Sequence, residues 1–408
     1  MGMPNWEDRQ TEKEIRDSLE SITMARKSPE FYEFFAGGGM ARLGLGPHWN
    51  CTFANEWCEK KASTYRSCFG RSPELQVKDV RSLVLGDLPG QPDLVWASFP
   101  CQDLSLAGNG AGLKGERSGT FWSFWRLMEG LAREGRPSPL IVLENVVGAL
   151  TSRDGGDFRA IVESVTNTGY RVGALVIDAI HFVPQSRPRL FILAIDAKTK
   201  MPSGLRTGYP SMLWHPTALK AAHAKLSAAL RESWVWWHLP PPRIRRATLD
   251  DIIESRPASV EWHTPDETRR LLRLMSRANL RKVEQASRLG KPVIGTVYRR
   301  TRLNENGEKV QRAEVRFDQV SGCLRTPAGG SSRQTILVVD GDMIQSRLLS
   351  PREAARLMGV PDSYALPENY NEGYHLMGDG LVVPVVSWLE NQLLHPLRIL
   401  NRRTSKAA

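Results

Sequence analysis

Apolar residues along this chain fall into short blocks bounded by glycine, proline or small polar residues, and the stretches between blocks carry apolar residues at helical spacing. Blocks at 31–35, 51–55, 75–77, 93–97, 140–143, 172–177 and 190–194 are too short for helices and read as buried strands. Met40 to Leu43 opens a helix after the first block, and residues 120–128 form another. A third, at 158–168, lines up Phe158, Ile161, Val162 and Val165 and stops at Gly169. Strand and helix alternate in this way to about Lys200, the rhythm of an α/β domain. Ahead of it, residues 1–30 space Ile15, Leu19 and Ile22 as on a peripheral amphipathic helix.

Beyond Lys200 the rhythm stops. Residues 234–242 read as a linker that packs its own aromatics. Thr264-Pro265-Asp266-Glu267 is a capping box, and the basic helix it opens runs as one element through Arg269, Arg270, Arg273, Arg277, Arg281 and Lys282 towards Gly290, with Leu271, Leu274, Met275, Ala278 and Val283 on its apolar face. Strand-like pieces follow at 293–298, 310–317 and 335–339. Ser350-Pro351-Arg352-Glu353 caps another helix that ends at Gly359, and a glycine turn at 378–380 feeds a last apolar helix expected to pack back beside the first strand.

Charge sharpens this division. Of 55 Lys and Arg and 44 Asp and Glu in 408 residues, 25 basic and 14 acidic residues lie between Lys200 and Gln345, which leaves 30 of each elsewhere. The whole net charge of +11 therefore sits in one insert, which implies that a polyanion binds there. No apolar run reaches membrane-spanning length, and the first 30 residues are too charged for a signal peptide, so a cytoplasmic protein is expected. Five cysteines, at 51, 58, 68, 101 and 323, with no CxxC pair, argue against a disulfide framework or structural zinc.

The candidate chemistry collects at strand ends, where open α/β sheets bind ligands. Ser98-Phe99-Pro100-Cys101-Gln102 follows the block at 93–97, which makes Cys101 a candidate nucleophile, and Gly108, Gly110, Gly112 and Gly115 would let its loop close over a substrate. Phe35-Ala36-Gly37-Gly38-Gly39 is a strand-to-helix turn, and Glu56 and Trp57 stand about 17 residues beyond it, where nucleotide-binding folds place a ribose-binding acid. Trp57 could lie against an adenine ring and Asp79 could reach its amino group. Glu144, closing the block at 140–143, is placed for partial desolvation and a neutral carboxyl group. Arg187 and Arg189 share one side of an extended segment, suited to phosphate or a base carbonyl. The loop at 323–334 offers backbone freedom with Arg325, Ser331, Ser332, Arg333 and Gln334, side-chain types that contact phosphates and base edges.

Taken in order, Phe35-Ala36-Gly37-Gly38-Gly39, Glu56-Trp57, Asp79-Val80, Pro100-Cys101-Gln102, Glu144-Asn145-Val146, Gln185-x-Arg187-x-Arg189, Ser350 to Gly359 and Gly378-Asp379-Gly380 resemble the bacterial DNA (cytosine-5) methyltransferases. Two departures are Met40, where many members have glycine, and Asp379, where many have asparagine. The resemblance implies a Rossmann-like, doubly wound sheet of the S-adenosylmethionine-dependent methyltransferases with a smaller basic target-recognition domain. It divides the chain into an N-terminal helix at 1–30, a catalytic and cofactor-binding domain at 31–199, a recognition domain at 200–345 and a C-terminal return at 346–408. It implies S-adenosyl-L-methionine held among Phe35, Ala36, Gly37, Gly39, Glu56, Trp57, Asp79, Val80, Pro100, Asp379 and Gly380. Cys101 would add to C6 of a flipped-out cytosine, with Glu144 on the N3 and N4 edge, Arg189 at O2, and Arg187 holding phosphate and loop. DNA contacts are expected from Gln102, Ser105, Arg325, Ser331, Ser332, Arg333 and Gln334, and no metal is needed. The partner implied is double-stranded DNA, bound by a monomer and with no membrane, and the resemblance allows a cognate restriction endonuclease or other defence component. An RNA cytosine-5 methyltransferase on the same scaffold and a non-catalytic DNA-binding regulator are the competing readings.

Overall fold

The computed structural model describes residues 28–100, 119–326 and 333–399. The expected N-terminal helix at 1–30 falls almost wholly outside them, as do Cys101, Gln102, Ser105, Ser331 and Ser332. In the first part of the chain, β1 (Glu30–Phe34), α1 (Met40–Leu45), β2 (Asn50–Glu56), α2 (Glu59–Phe69), β3 (Leu75–Val77), β4 (Leu94–Ala97), α3 (Thr120–Arg133), β5 (Leu140–Val146), α4 (Gly156–Asn167), β6 (Tyr170–Asp178) and β7 (Pro188–Asp196) succeed one another as the apolar blocks predict. Seven strands form one sheet in the order β3-β2-β1-β4-β5-β7-β6. Side chains alternate between its faces: Phe31, Trp96, Leu140 and Val142 pack on one side, Tyr32, Phe34, Val95, Ile141 and Leu143 on the other. Both faces are covered, which is why these strands read as continuous apolar runs.

The pairs β1–β2, β1–β4, β2–β3 and β4–β5 are parallel, whereas β7 runs antiparallel to β5 and β6. The short link from β6 to β7 is too short for a helical crossover, so the chain turns straight back. From β1 the chain winds outward through β2 and β3, then returns across β1 to β4 and β5. The order therefore reverses between β1 and β4, and a crevice opens at their carboxyl ends.

The chain just past residue 200 still packs on the large sheet. Val235 N donates to Val172 O at 2.8 Å and Val176 N to Trp214 O at 2.9 Å, so the segment around a two-residue ribbon, β8 (Arg206–Thr207) with β9 (Trp236–Trp237), and the short helices α5 (Thr217–Ala224) and α6 (Ala228–Glu232) lie against the edge strand β6. Among the basic elements, the single helix expected from Thr264 is two, α7 (Pro265–Arg273) and α8 (Arg277–Ser287). Ser276 accepts from Asn279 N as a second cap, while Leu274 O is taken by Ala313 N at 2.9 Å. Local capping thus breaks a helix whose periodicity runs on. These helices pack on an antiparallel sheet, β11-β10-β12-β13, built from β10 (Val293–Leu303), β11 (Lys309–Arg316), β12 (Thr335–Asp340) and β13 (Met343–Leu348) around Leu271, Met275, Val283, Val297, Val315 and Leu337. The sheet extends three residues past the expected boundary at 345, because β13 completes it.

A buried, bidentate ion pair joins this sheet to the C-terminal return: Arg347 Nη1 and Nη2 lie 2.8 and 2.6 Å from the Glu353 carboxylate, both side chains fully buried. Glu353 is also the box residue of α9 (Pro351–Leu357). After α10 (Tyr370–Asp379), the last apolar helix, α11 (Val383–Leu389), packs on α1, where Ser387 Oγ donates to Gly44 O at 2.7 Å, and continues as a π turn, Glu390–Leu394. No helix among the described residues is long and apolar enough to cross a membrane.

Candidate active site

The crevice is shaped first by backbone. Phe35 takes φ 58°, a left-handed conformation rare outside glycine, and Gly37 follows at φ 57° with nothing within 4 Å of where a Cβ would stand. The turn is held from below by Glu56. Its carboxylate, 4% exposed, accepts Gly37 N at 2.8 Å, Trp57 N at 3.1 Å and Cys58 N at 2.9 Å. Trp57 leaves its indole 69% exposed beside this buried carboxylate. Asp79 accepts from the backbone and side chain of Arg81, and this partner holds its carboxyl group below the ordinary carboxylate range. Val80 is buried in the core with Phe34 and Phe53. An open glycine turn, an anchored acid and an exposed aromatic ring fit a nucleoside-bearing ligand laid across the ends of β1 and β2.

On the other side of the switch point, β4 ends at Ala97 and the chain passes through Ser98, Phe99 and Pro100 to Cys101, which lies outside the described residues. The root is fastened: Asn145 Nδ2 donates to Phe99 O at 3.1 Å and Trp96 Nε1 to Ser98 Oγ at 3.1 Å. Asn145 lies next to Glu144, and its clamp on the Cys101 segment was not legible as a role in the sequence. Glu144 is buried, which pushes its pKa up, against the opposing pull of Arg189, Arg187 and Ser98. Arg189 Nε stands 3.3 Å from Glu144 Oε1. Neighbouring positions of the antiparallel β5–β7 pair, Glu144 opposite Phe191 and Val146 opposite Arg189, bring the two side chains together.

Arg187 does something else. Although two residues from Arg189, it is 3% exposed and donates to Leu324 O at 2.9 Å, Gly378 O at 2.8 Å and Gly380 O at 2.8 Å, with Cys323 Sγ at 3.3 Å. The expected hold on phosphate is corrected: its donors are spent inside the protein, tying β7 to the chain leaving the small sheet and to the end of α10. Cys323, which the sequence marks only as an ordinary thiol, also lies 3.8 Å from Arg189. Burial opposes its ionisation, yet Arg187 and Arg189 together lower its pKa.

The two family departures meet in this region. Met40 is buried, and a Cβ on Gly380 would stand 2.3 Å from its sulfur, so the thioether fills the space over that glycine. Asp379 receives Lys61 Nζ at 2.7 Å and the Thr326 hydroxyl, and although burial pushes its carboxyl group up, Lys61, Thr326 and Arg187 together bring its pKa below the ordinary carboxylate range.

Two expected base readers are also relocated. Gln334 is 2% exposed, donating Nε2 to Val297 O at 2.9 Å and its backbone N to Tyr374 Oη at 2.9 Å, so its side chain faces the protein interior rather than the surface. Arg333 binds Asn371 Oδ1 and lies 5.5 Å from the Tyr370 ring centroid, held on α10. Arg325 is exposed, as are Arg299, Arg300, Arg302 and Arg312 on the β10–β11 hairpin.

The family model for C-5 cytosine-specific DNA methylases matches residues 30–395. The type II methyltransferase M.MspI of Moraxella sp is 25% identical over 378 residues, 92% of this chain and 72% of that protein. M.BsuFI of Bacillus subtilis, also a type II methyltransferase, is 34% identical over 165 residues, which span 40% of this chain and 38% of that relative. Among solved structures, the S. pombe Dnmt2 methyltransferase superposes with a TM-score of 0.55 at 17% identity, over 90% of this chain and 99% of that one, a likeness of fold.

Proposed function

The chain belongs to the C-5 cytosine-specific DNA methylase family, and on that premise we propose that it methylates C5 of a cytosine flipped out of duplex DNA, at a specific sequence, through a covalent bond from Cys101 to C6. The observation that carries this reading is the buried Glu144 carboxyl group, 3.3 Å from Arg189, beside the strand end from which the Cys101 segment departs.

A base inside the stack is out of reach, so flipping precedes chemistry. The Cys101 thiolate adds to C6 and the electron pair of the C5–C6 bond moves towards C5, with charge shared by N3 and O2. The Glu144 carboxyl group, its pKa raised by burial, donates to N3 and accepts from the N4 amino group, and Arg189 neutralises O2. The pair is already assembled, so little reorganisation accompanies the charge as it grows. Asn145 and Ser98 hold the root of the Cys101 segment against the strand ends. Once C5 carries the methyl group, a water molecule takes the C5 proton, the C6–S bond breaks to release Cys101 as the thiolate, and N3 returns its proton to Glu144.

Phe35, Gly37, Glu56 and Trp57, with Asp79, fit S-adenosylmethionine, which when bound supplies an electrophilic methyl group. Glu56, fixed by three backbone N–H groups, is the acceptor for ribose hydroxyls, and the exposed Trp57 ring is the face for adenine. The exposed arginines of the β10–β11 hairpin take backbone phosphates, and Arg325 is left as the forked side chain to read a base.

The test is methyl transfer by the full chain to duplex DNA and to RNA, followed by mapping of methylated cytosines, with a duplex carrying 5-fluorocytosine at the mapped position as a covalent trap. Wild type should form a denaturant-stable adduct with that duplex and Cys101→Ser none. An active enzyme that leaves no adduct refutes the covalent step, and transfer to RNA alone refutes the substrate.

A further inference from the structure

The C-terminal helix and the loop between α1 and β2 converge on a small polar cluster away from the crevice. Glu390 is 3% exposed; His48 Nε2 lies 2.9 Å and His395 Nδ1 3.6 Å from its Oε1, and the three donor atoms all fall within 4.8 Å of one another. Trp49 Nε1 adds a bond to the same oxygen at 3.3 Å.

The backbone is shaped for this convergence. On an α-helix, residues five apart point about 140° from each other. Here the chain makes a π turn, with His395 N donating to Glu390 O, so residues five apart stack and both side chains face His48. A π turn sacrifices regular bonding, and such turns gather at functional sites.

We propose that His48, Glu390 and His395 form a binding site for a divalent transition-metal ion, zinc foremost, with water completing a tetrahedral set. Two imidazoles and a carboxylate are ordinary zinc ligands, at about 2.0–2.2 Å, which sets donor atoms roughly 3.3 Å apart. The observed 2.9 and 3.6 Å bracket that spacing. The Trp49 indole supplies the outer hydrogen bond that orients the carboxylate. Arg398 Nη2 points at His395 Nδ1 from 3.3 Å. Because a guanidinium only donates, it marks an available lone pair on that nitrogen, and metal binding must displace it. The ion would staple the end of α11 to the entry of β2, 342 residues away in sequence, which no local Cys or His spacing announces.

The test uses tag-free full-length protein, stripped with chelator and titrated with Co²⁺. Wild type should bind one equivalent, with the visible absorption of a four-coordinate site, and Zn²⁺ should displace it and raise the melting temperature. His48→Gln, at a side chain 49% exposed and so expected to fold normally, and His395→Gln should each weaken binding at least about tenfold. Arg398→Gln should tighten it by removing a competing cation. Cys58→Ser and Cys323→Ser should leave it unchanged. No saturable band in wild type, unchanged binding in both histidine variants, or weaker binding in Arg398→Gln would overturn the site.

Discussion

Replacing Arg187 by methionine separates a brace from a phosphate clamp. The guanidinium donates to the carbonyls of Leu324, Gly378 and Gly380, all at 2.8–2.9 Å. Methionine matches its length but leaves three acceptors without that donor, at about 1–3 kcal/mol each if they stay buried. The gross cost is therefore about 3–9 kcal/mol, and relief of the buried charge trims it towards roughly 3–5 kcal/mol. Burial, with Arg189 alongside, already depresses the pKa of Arg187, so that relief is real. For 408 residues, an unfolding entropy near 2.1 cal/mol/K per residue makes this a fall in melting temperature of about 4–6 °C. Arg187→Lys, which can reach some of the same carbonyls, should lose about half as much. The assays are thermal unfolding of the apo chain and the salt dependence of duplex binding, measured well below the transition. A phosphate contact would lower the slope of log K against log salt by about 0.9 on removal, whereas the brace predicts an unchanged slope. Unchanged melting with a slope reduced by about one would refute the reasoning.

Glu144→Gln should lower the single-turnover methylation rate by on the order of 10²-fold or more while duplex affinity holds, since an amide cannot serve as the acid at N3; an unchanged rate removes Glu144 from the chemistry. Glu33, wholly buried on β1, has its pKa pushed up to about 8 by burial. Its unfolded counterpart ionises near 4.5, so between these values the folded state holds the extra proton and stability falls as pH rises, by up to about 1.4 kcal/mol per unit. Glu33→Gln should flatten that slope and stabilise the protein at pH 8 to 9, and urea titrations that keep the wild-type slope would contradict it. Arg325→Ala should cost roughly 1–3 kcal/mol at the cognate site and relax one base position. Arg312→Ala should weaken all duplexes alike, and Arg333→Ala should act through α10 without changing the preferred base; competition binding with base-substituted duplexes distinguishes these outcomes.

The strands of the large sheet were legible because each is buried on both faces and so carries an unbroken apolar run; Leu94, Val95, Trp96 and Ala97 are almost completely buried. The reversal of β7 was not, since direction depends on connection length and packing rather than on composition. The helix break at Leu274 to Ser276 was hidden because apolar periodicity continues through it, although Ser276 was a visible cap. Glu56, Trp57 and Glu144 were singled out from their place after strands and Arg189 from its place on an extended segment, and the structure sets Glu144 and Arg189 3.3 Å apart. Arg187 and Gln334 look the same in sequence as ligand-binding residues, and only burial shows that their hydrogen bonds are internal. Cys323, Asn145 and the His48, Glu390, His395 cluster depend on contacts across long stretches of chain, which spacing cannot reveal.

The buried pair of Arg347 and Glu353 locates the joint between two modules with different histories open to them. Arg347 closes the last strand of the basic sheet, Glu353 opens the first helix of the return to the catalytic body, and the bond between them excludes water. On the proposed reading a change of target sequence needs new surface on the sheet, and exposed positions such as Arg299, Arg300, Arg302 and Arg312 can drift to supply it while the buried core and the joint hold. Neither partner can change alone, because a single buried charge would be left without its counter-ion. Exchange of recognition modules between related enzymes should therefore succeed when the crossover keeps this arginine and this glutamate together, and fail to fold when it parts them.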